Sequence, residues 1–154
     1  MQRRKYDKKE ALSKLMKYCS YQDRCHKEVE LKLHEWGIWG EDRDEIIYDL
    51  MRHDFLNEER FARSYVRGKF KIKKWGRVKI KQGLKEKGIT DNLVRIAMNE
   101  IEEDLYFNTL KLELEKKQKS ISELNVFIRN KKVAEHLIRR GYEAALVWEY
   151  LKKD

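Results

Sequence analysis

The sequence predicts an all-α protein, built of three tandem three-helix repeats that form an elongated, curved molecule. Three observations predict this fold. A glycine-centred pattern recurs three times along the 154 residues, and apolar residues follow helical spacing on either side of each copy. The chain also contains no proline, the residue that most often interrupts a helix.

The recurring pattern is an apolar residue, a leucine four positions later, a glycine after four more, and an apolar residue directly after the glycine. Its copies are Val29, Leu33, Gly37 and Ile38; Ile80, Leu84, Gly88 and Ile89; and Val133, Leu137, Gly141 and Tyr142. Each glycine is predicted to end a helix in the left-handed conformation, with the leucine and the last residue in contact, as in a Schellman motif. The structural role of these glycines excludes a phosphate-binding loop, because no copy carries the further glycines that such loops need.

Helical faces can be assigned in order along each repeat. Asp7 and Glu10 predict a capping box, and Asp42 with Glu45 predicts the start of a later helix. Alternation over residues 69–73 is interpreted as the end of a helix rather than a strand, and Ser120 with Glu123 indicates a helix start between residues 117 and 130. The apolar stripes of the nine helices begin, in order, at Ala11, Cys25, Ile46, Phe61, Ile80, Val94, Phe107, Val133 and Leu146.

These patterns divide the chain into a basic N-terminal tail and three repeats. The tail covers residues 1–5, and the repeats cover residues 6–53, 54–103 and 104–154. Each triplet is too small to hold an independent core, so the repeats are expected to bury their faces against their neighbours.

Charge is distributed unevenly. The formal net charge is +9, and residues 67–87 hold ten basic side chains against the single acid Glu86, whereas the chain on either side of them sums to zero. We call residues 67–87 the basic segment. A basic stripe on an otherwise neutral protein indicates a polyanion or an acidic partner. A row at Arg77, Lys81 and Lys85 is predicted to face away from the core, and Trp75 is a candidate for stacking on bases.

Other chemistry is weakly represented. Cys19, Cys25, His26 and His34 match no zinc spacing, and both cysteines continue apolar stripes, which predicts buried side chains. No nucleophile motif is present, so no catalytic residue, metal or cofactor is predicted. The chain has no apolar run that would span a membrane and no secretory signal, and its two cysteines favour a reduced, cytoplasmic monomer.

Residues 55–66, which read Phe-Leu-Asn-Glu-Glu-Arg-Phe-Ala-Arg-Ser-Tyr-Val, resemble the signature of RecX regulatory proteins. The basic run that follows them resembles the same family, as does the pattern from Gly76-Arg77 to Lys87-Gly88-Ile89. Glu28-Val29 with Lys32-Leu33 is similar to a motif of its first unit, and Arg139-Arg140-Gly141-Tyr142 to the ending of its third. Two departures are Asn57-Glu58, where the family usually has two aspartates, and Cys25, where it usually has a capping serine.

The resemblance implies tandem three-helix units and a modulator of the RecA recombinase rather than an enzyme. It implies a partner, the RecA filament on single-stranded DNA, whose ATP hydrolysis, strand exchange and co-protease activity the family lowers, restraining recombination and the SOS response. Two alternatives stay open: a stand-alone nucleic-acid-binding helical protein and a scaffold for an acidic protein. The predicted contact residues are Arg67, Lys69, Lys71, Lys73, Lys74, Trp75, Arg77, Lys81, Lys85, Lys87, Arg139 and Arg140.

Overall fold

The computed structural model describes residues 3–153, and this part of the chain forms nine α-helices and no strand. The predicted all-α fold of three-helix repeats is confirmed. The helices are α1 (Lys8–Tyr21), α2 (His26–Glu35), α3 (Gly40–Arg52), α4 (Glu58–Lys71), α5 (Arg77–Glu86), α6 (Asp91–Met98), α7 (Glu103–Ser120), α8 (Val126–Arg139) and α9 (Ala144–Lys152). We call α1–α3, α4–α6 and α7–α9 the first, second and third repeats; the residue boundaries predicted for them stay a prediction.

The second helix of every repeat ends in the predicted Schellman motif. Gly37, Gly88 and Gly141 have φ of 73°, 78° and 103°, a region that glycine enters without steric cost. In the first repeat the amide of Ile38 donates to the carbonyl of Leu33 at 2.9 Å, and the equivalent bond is 3.1 Å in each of the other two repeats. The motif reverses the chain at the same point in each repeat, so that the third helix packs back against the first two.

Two predicted helix starts are wrong. Helix α3 begins at Gly40, so Asp42 lies in its first turn. There it pairs with Arg4 at 2.9 Å, and its negative charge interacts favourably with the positive end of the helix dipole. Ser120 is the last residue of α7, and α8 starts instead behind Asn125, whose side chain accepts from the amide of Ile128 at 3.2 Å. Asp7 does cap α1, accepting from the amide of Glu10 at 2.8 Å.

The buried apolar residues form two cores. One is built almost entirely from the first repeat and includes Leu15, Leu33 and Ile46, so the expectation that a triplet is too small to hold a core of its own is wrong there. The other is shared by the second and third repeats and is continuous through Phe70 and Tyr106. Helices that approach closely along their backbones do so within a repeat. The accessible surface, 10093 Å², exceeds the value of about 8,300 Å² expected of a compact monomer of this mass, as an elongated molecule requires.

The repeats meet at two places, which we call the first junction (between the first and second repeats) and the second junction (between the second and third). At the second junction the residue before α5, Gly76, lies against the end of α8. Its amide donates to the carbonyl of Arg140 at 2.8 Å, and the amide of Val78 donates to that of Gly141 at 2.9 Å. These bonds hold the basic segment, which surrounds Gly76, in a fixed position on the third repeat.

Candidate partner-binding surface

The basic segment runs from the last turns of α4 through a short connection into α5. Helix α4 ends at Lys71, which confirms the interpretation of residues 69–73 as a helix end. Lys74 takes a left-handed conformation with φ of 59°, and the amide of Trp75 donates to the carbonyl of Lys69 at 3.0 Å. This tight reversal brings lysines from the end of α4 near lysines on α5.

Four lysines of the segment extend into solvent: Lys71, Lys73, Lys81 and Lys85. Lys85 lies 3.7 Å from the carboxylate of Asp91, but both side chains are mostly exposed, and such pairs contribute little to stability. In the described part of the chain, no carboxylate lies within ion-pair distance of the other three. These side chains are therefore available to an anionic partner.

Two arginines of the segment are engaged inside the protein. Arg67 pairs with Glu100 at 3.0 Å. Arg77 pairs with Glu143 at 2.7 Å, its guanidinium lies 4.0 Å from the centre of the Tyr106 ring, and its side chain is only 27% exposed. The prediction that Arg77 faces away from the core with Lys81 and Lys85 is wrong, because the third repeat supplies a carboxylate and an aromatic face that bind Arg77.

Tyr106 organises this part of the second junction. Its hydroxyl donates to the Glu143 carboxylate and accepts from the backbone amide of Arg77 at 3.0 Å. Burial raises the pKa of Tyr106 well above its ordinary value, and the hydrogen bond to Glu143 raises this pKa further. The phenol therefore stays protonated and can keep donating, while Arg77 balances the charge of Glu143.

The remaining predicted residues are mostly structural or half-buried. The guanidinium of Arg140 donates to the carbonyl of Lys73, and the hydroxyl of Tyr142 donates to that of Lys74 at 2.8 Å. Arg139 is exposed at the end of α8, whereas Lys69 and Lys87 are half-buried. Their contact with a partner stays a prediction.

Trp75 packs its ring against the shared core and is half-buried. The ammonium groups of Lys69 and Lys79 lie 4.7 and 4.2 Å from the ring centre, within the range of cation–π attraction. Stacking of Trp75 on a base would have to displace these lysines, so its role as a stacking residue stays a prediction.

Sequence reasoning missed Tyr106 and Glu143, the two residues that bind Arg77. Both lie at the start of a third-repeat helix, and Glu143 sits two residues after the glycine of the third copy of the pattern. The position of Glu143 beside the motif is the one usable signal, because the second junction joins motif-flanking residues of neighbouring repeats. Nothing in the sequence marks Tyr106 or pairs either residue with Arg77.

Other chemical groups in residues 3–153 form no further centre. No three His, Cys, Asp or Glu side chains there come together as a group that would hold a metal ion. Cys19 and Cys25 are buried free thiols, as predicted, and burial raises the pKa of Cys25 to about 11. Within the same residues, every helix is too short or too polar to cross a membrane.

Three-helix units in tandem define the class of helical-repeat proteins. The comparisons specify the family. Family models for the second and third three-helix domains of RecX match residues 57–98 and 103–151. Regulatory protein RecX of Clostridium acetobutylicum is 30% identical over 147 residues, which cover 93% of this chain and 68% of that protein.

A RecX of known structure shares the fold. The crystal structure of RecX from Lactobacillus salivarius superposes with a TM-score of 0.84 at 27% identity and covers 95% of both chains. Regulatory protein RecX of Bacillus mycoides is 27% identical over 130 residues, 84% of this chain but only 48% of its own length, so the chain spans about half of that relative. The chain belongs to the RecX family.

Proposed function

We propose that this protein regulates the RecA recombinase. It binds the RecA filament on single-stranded DNA and lowers ATP hydrolysis, strand exchange and co-protease activity, and so restrains recombinational repair and the SOS response in the cytoplasm. The observation that carries the proposal is the match to RecX three-helix domains over residues 57–98 and 103–151, a region that includes the whole basic segment.

The architecture supports binding to a filament rather than to a small molecule. The second and third repeats form one body with a shared core, and the second junction fixes the lysine-bearing connection on that body. Lys71, Lys73 and Lys81 pair with anionic groups of the filament, either DNA phosphates or acidic side chains of RecA. An elongated molecule with charge concentrated near its middle reaches neighbouring subunits of such a polymer.

The decisive measurement is the ATPase rate of RecA on single-stranded DNA with and without the protein. The test variant carries Lys71→Glu, Lys73→Glu and Lys81→Glu. The matched control carries Lys116→Glu, Lys131→Glu and Lys132→Glu, which are exposed lysines of the third repeat and change the net charge by the same amount. We expect wild type and control to inhibit alike and the test variant to lose inhibition.

The outcomes separate the proposal from its rival. A wild-type protein that leaves the RecA ATPase unchanged but binds single-stranded DNA tightly would be a stand-alone nucleic-acid-binding protein. Equal inhibition by the test variant and its control would show that the basic segment is not part of the interface.

Binding of bare single-stranded DNA over a range of salt distinguishes the two anionic groups. Each phosphate that a lysine neutralises contributes about −0.7 to the log–log slope. If the test variant loses inhibition but keeps its affinity and slope on bare DNA, the lysines contact RecA instead.

A further inference from the structure

The first repeat carries a concave surface that lies apart from the basic segment. It is a groove of about 480 Å³ between α1 and α2, within the size range of ligand sites. Four aromatic side chains line it, Tyr6, Tyr18, Tyr21 and Trp36, and the four charged side chains in its lining are all basic. We call it the aromatic groove.

The aromatic rings are only partly used for packing. Tyr6 and Trp36 meet edge to face with ring centres 5.1 Å apart, which fixes one end of the groove. Tyr21, the last residue of α1, is 84% exposed, whereas Tyr106 and Tyr142 of the shared core are completely buried or nearly so. A tyrosine with this exposure contributes little to folding, and its ring is available to a ligand.

The cations of the groove are arranged around these rings. Lys14 lies 4.7 Å from the ring centre of Tyr6, and Arg24 lies 3.7 Å from that of Tyr18. Arg24 and Lys32 also approach carboxylates, at 4.0 and 3.9 Å. For Lys14 and Lys17, in contrast, no carboxylate lies within ion-pair distance in the described residues.

The fold creates this positive surface in a repeat whose acids outnumber its bases, since residues 6–53 hold nine Lys and Arg against eleven Asp and Glu. Five of the acidic residues of the first repeat lie on α3, between Glu41 and Asp49, and α3 lines no part of the groove. Summing charge along the chain therefore hides a separation that exists in space. The separation matters because a groove lined by charges of one sign focuses the electric field at its opening.

The spacing along α1 places each of these two lysines one turn before a tyrosine. Lys14 precedes Tyr18 by four residues, and Lys17 precedes Tyr21 by four, so each pair shares one face of the helix. Alternating rings and cations suit an unpaired strand, whose bases stack on aromatic faces while its phosphates meet the cations. An acidic peptide would pair with the cations but would not require the exposed ring of Tyr21.

We propose that the aromatic groove binds single-stranded nucleic acid, with a base stacked on Tyr21 and the adjacent phosphates held by Lys14 and Lys17. The contact involves nucleic acid alone, so it does not rest on the proposed regulation of RecA. It adds a second nucleic-acid contact on a different repeat from the basic segment.

The test uses the full chain and a fluorescent oligothymidylate in the absence of RecA. Tyr21→Ala should weaken binding roughly 5- to 150-fold, the range expected for losing one base–aromatic stack. Tyr21→Phe should bind like wild type, because stacking uses the ring and not the hydroxyl. The matched control is Tyr48→Ala, which removes a 63% exposed tyrosine of α3 outside the groove and should leave affinity unchanged.

The cations are tested by the salt dependence of the same binding. Lys14→Ala with Lys17→Ala should flatten the log–log slope by about 1.4, corresponding to two phosphates, while Lys116→Ala with Lys131→Ala should not. A loss of affinity in Tyr21→Ala no greater than in Tyr48→Ala overturns the proposal. So does a weakened lysine variant beside an unchanged Tyr21→Ala, which would indicate a general anion surface such as one for acidic peptides.

The groove and the proposed function fail separately. If the protein leaves the RecA ATPase unchanged while Tyr21→Ala still weakens oligothymidylate binding, the groove stands and the regulatory function does not. If inhibition depends on Lys71, Lys73 and Lys81 but Tyr21→Ala binds oligothymidylate normally, only the proposal about the groove is rejected.

Discussion

The two junctions use the same positions of the repeat in different ways. In both, the residue before the second helix of one repeat lies toward the end of the second helix of the next. At the second junction this residue is Gly76, and its amide bonds directly to the backbone of the third repeat. At the first junction it is Cys25, whose buried side chain joins the core of the second and third repeats. Its amide donates to the carboxylate of Glu28 at 3.2 Å and not to a neighbouring repeat.

Several further contacts of the first junction are polar. Arg60 pairs with Asp23 at 2.7 Å, and the ammonium of Lys27 donates to the carbonyl of Glu86 at 2.8 Å. The first repeat keeps its own core. We infer that one residue type decides the contrast: a glycine lets two backbones meet, whereas a side chain at that position holds them apart and leaves long polar side chains to bridge the gap.

A second backbone contact of the kind that Gly76 makes lies near the N-terminal end of the first repeat. The amide of Lys5 donates to the carbonyl of Trp36 at 2.9 Å, and Trp36 occupies the position in α2 that Arg140 occupies in α8. A Cβ on Gly37 would approach the carbonyl oxygen of Arg3 within 2.9 Å. The N-terminal segment thus covers the end of the first repeat as a capping unit does in a repeat protein.

The largest expected effect is that of Gly76→Ala. Its backbone is ordinary, with φ of −80°, but a Cβ would overlap the backbone of Gly141 and Tyr142. Because backbone atoms cannot move aside as side chains do, we expect a loss of about 3 kcal/mol in unfolding free energy, the upper end for overpacking. Urea denaturation followed by circular dichroism measures it.

The control for this variant is Gly68→Ala. Gly68 lies inside α4 with no atom within 4 Å of a built Cβ, so alanine should stabilise the protein by about 0.5–1 kcal/mol. Equal effects of the two substitutions would show that the second junction is not held by close backbone contact.

A smaller effect is expected from one hydrogen-bonding side chain at each junction. Tyr106→Phe leaves the partly buried amide of Arg77 without its acceptor, at a cost of about 1–3 kcal/mol. Asp23→Ala removes the partner of Arg60, a pair that is partly exposed at 37% and 27%, and should cost at most about 1 kcal/mol. Only the second loss should shrink in high salt, and equal costs that are insensitive to salt would contradict the contrast between the junctions.

Much of this fold could be predicted from the sequence because the signal is local. The glycine pattern and the 3.6-residue periodicity specify where helices end and which faces are buried, and the Schellman motifs at Gly37, Gly88 and Gly141 follow directly. The junctions could not be predicted in this way. The pairing of Arg77 with Glu143 joins residues 66 positions apart, and no periodicity within a repeat encodes which side chain of the next repeat a cation will meet.

The candidate surfaces show the same limit. Counting charges along the chain found the basic segment, since ten cations fall close together in sequence. The same count overlooked the aromatic groove, because five acids that offset its lysines in the sum lie on α3 and none of the acids lines the groove. Segregation of charge between helices is a property of packing, and only the arrangement of α1, α2 and α3 reveals it.

The effect expected at Cys25 is absent at neutral pH and appears only at alkaline pH. Burial raises its pKa from 9.0 to about 11 in the folded protein. Between these values the unfolded chain releases the thiol proton and the folded chain keeps it, so the stability that the neutral thiol provides is fully present below pH 9 and declines as the pH rises to 11. The difference in unfolding free energy between wild type and Cys25→Ala should therefore shrink over this interval, and urea titrations at several pH values measure it. Serine at this position should remove the pH dependence as alanine does, because a hydroxyl does not titrate there. A difference that stays constant from pH 8 to 11 would mean that water reaches the thiol, and that the first junction lacks even its one buried contact.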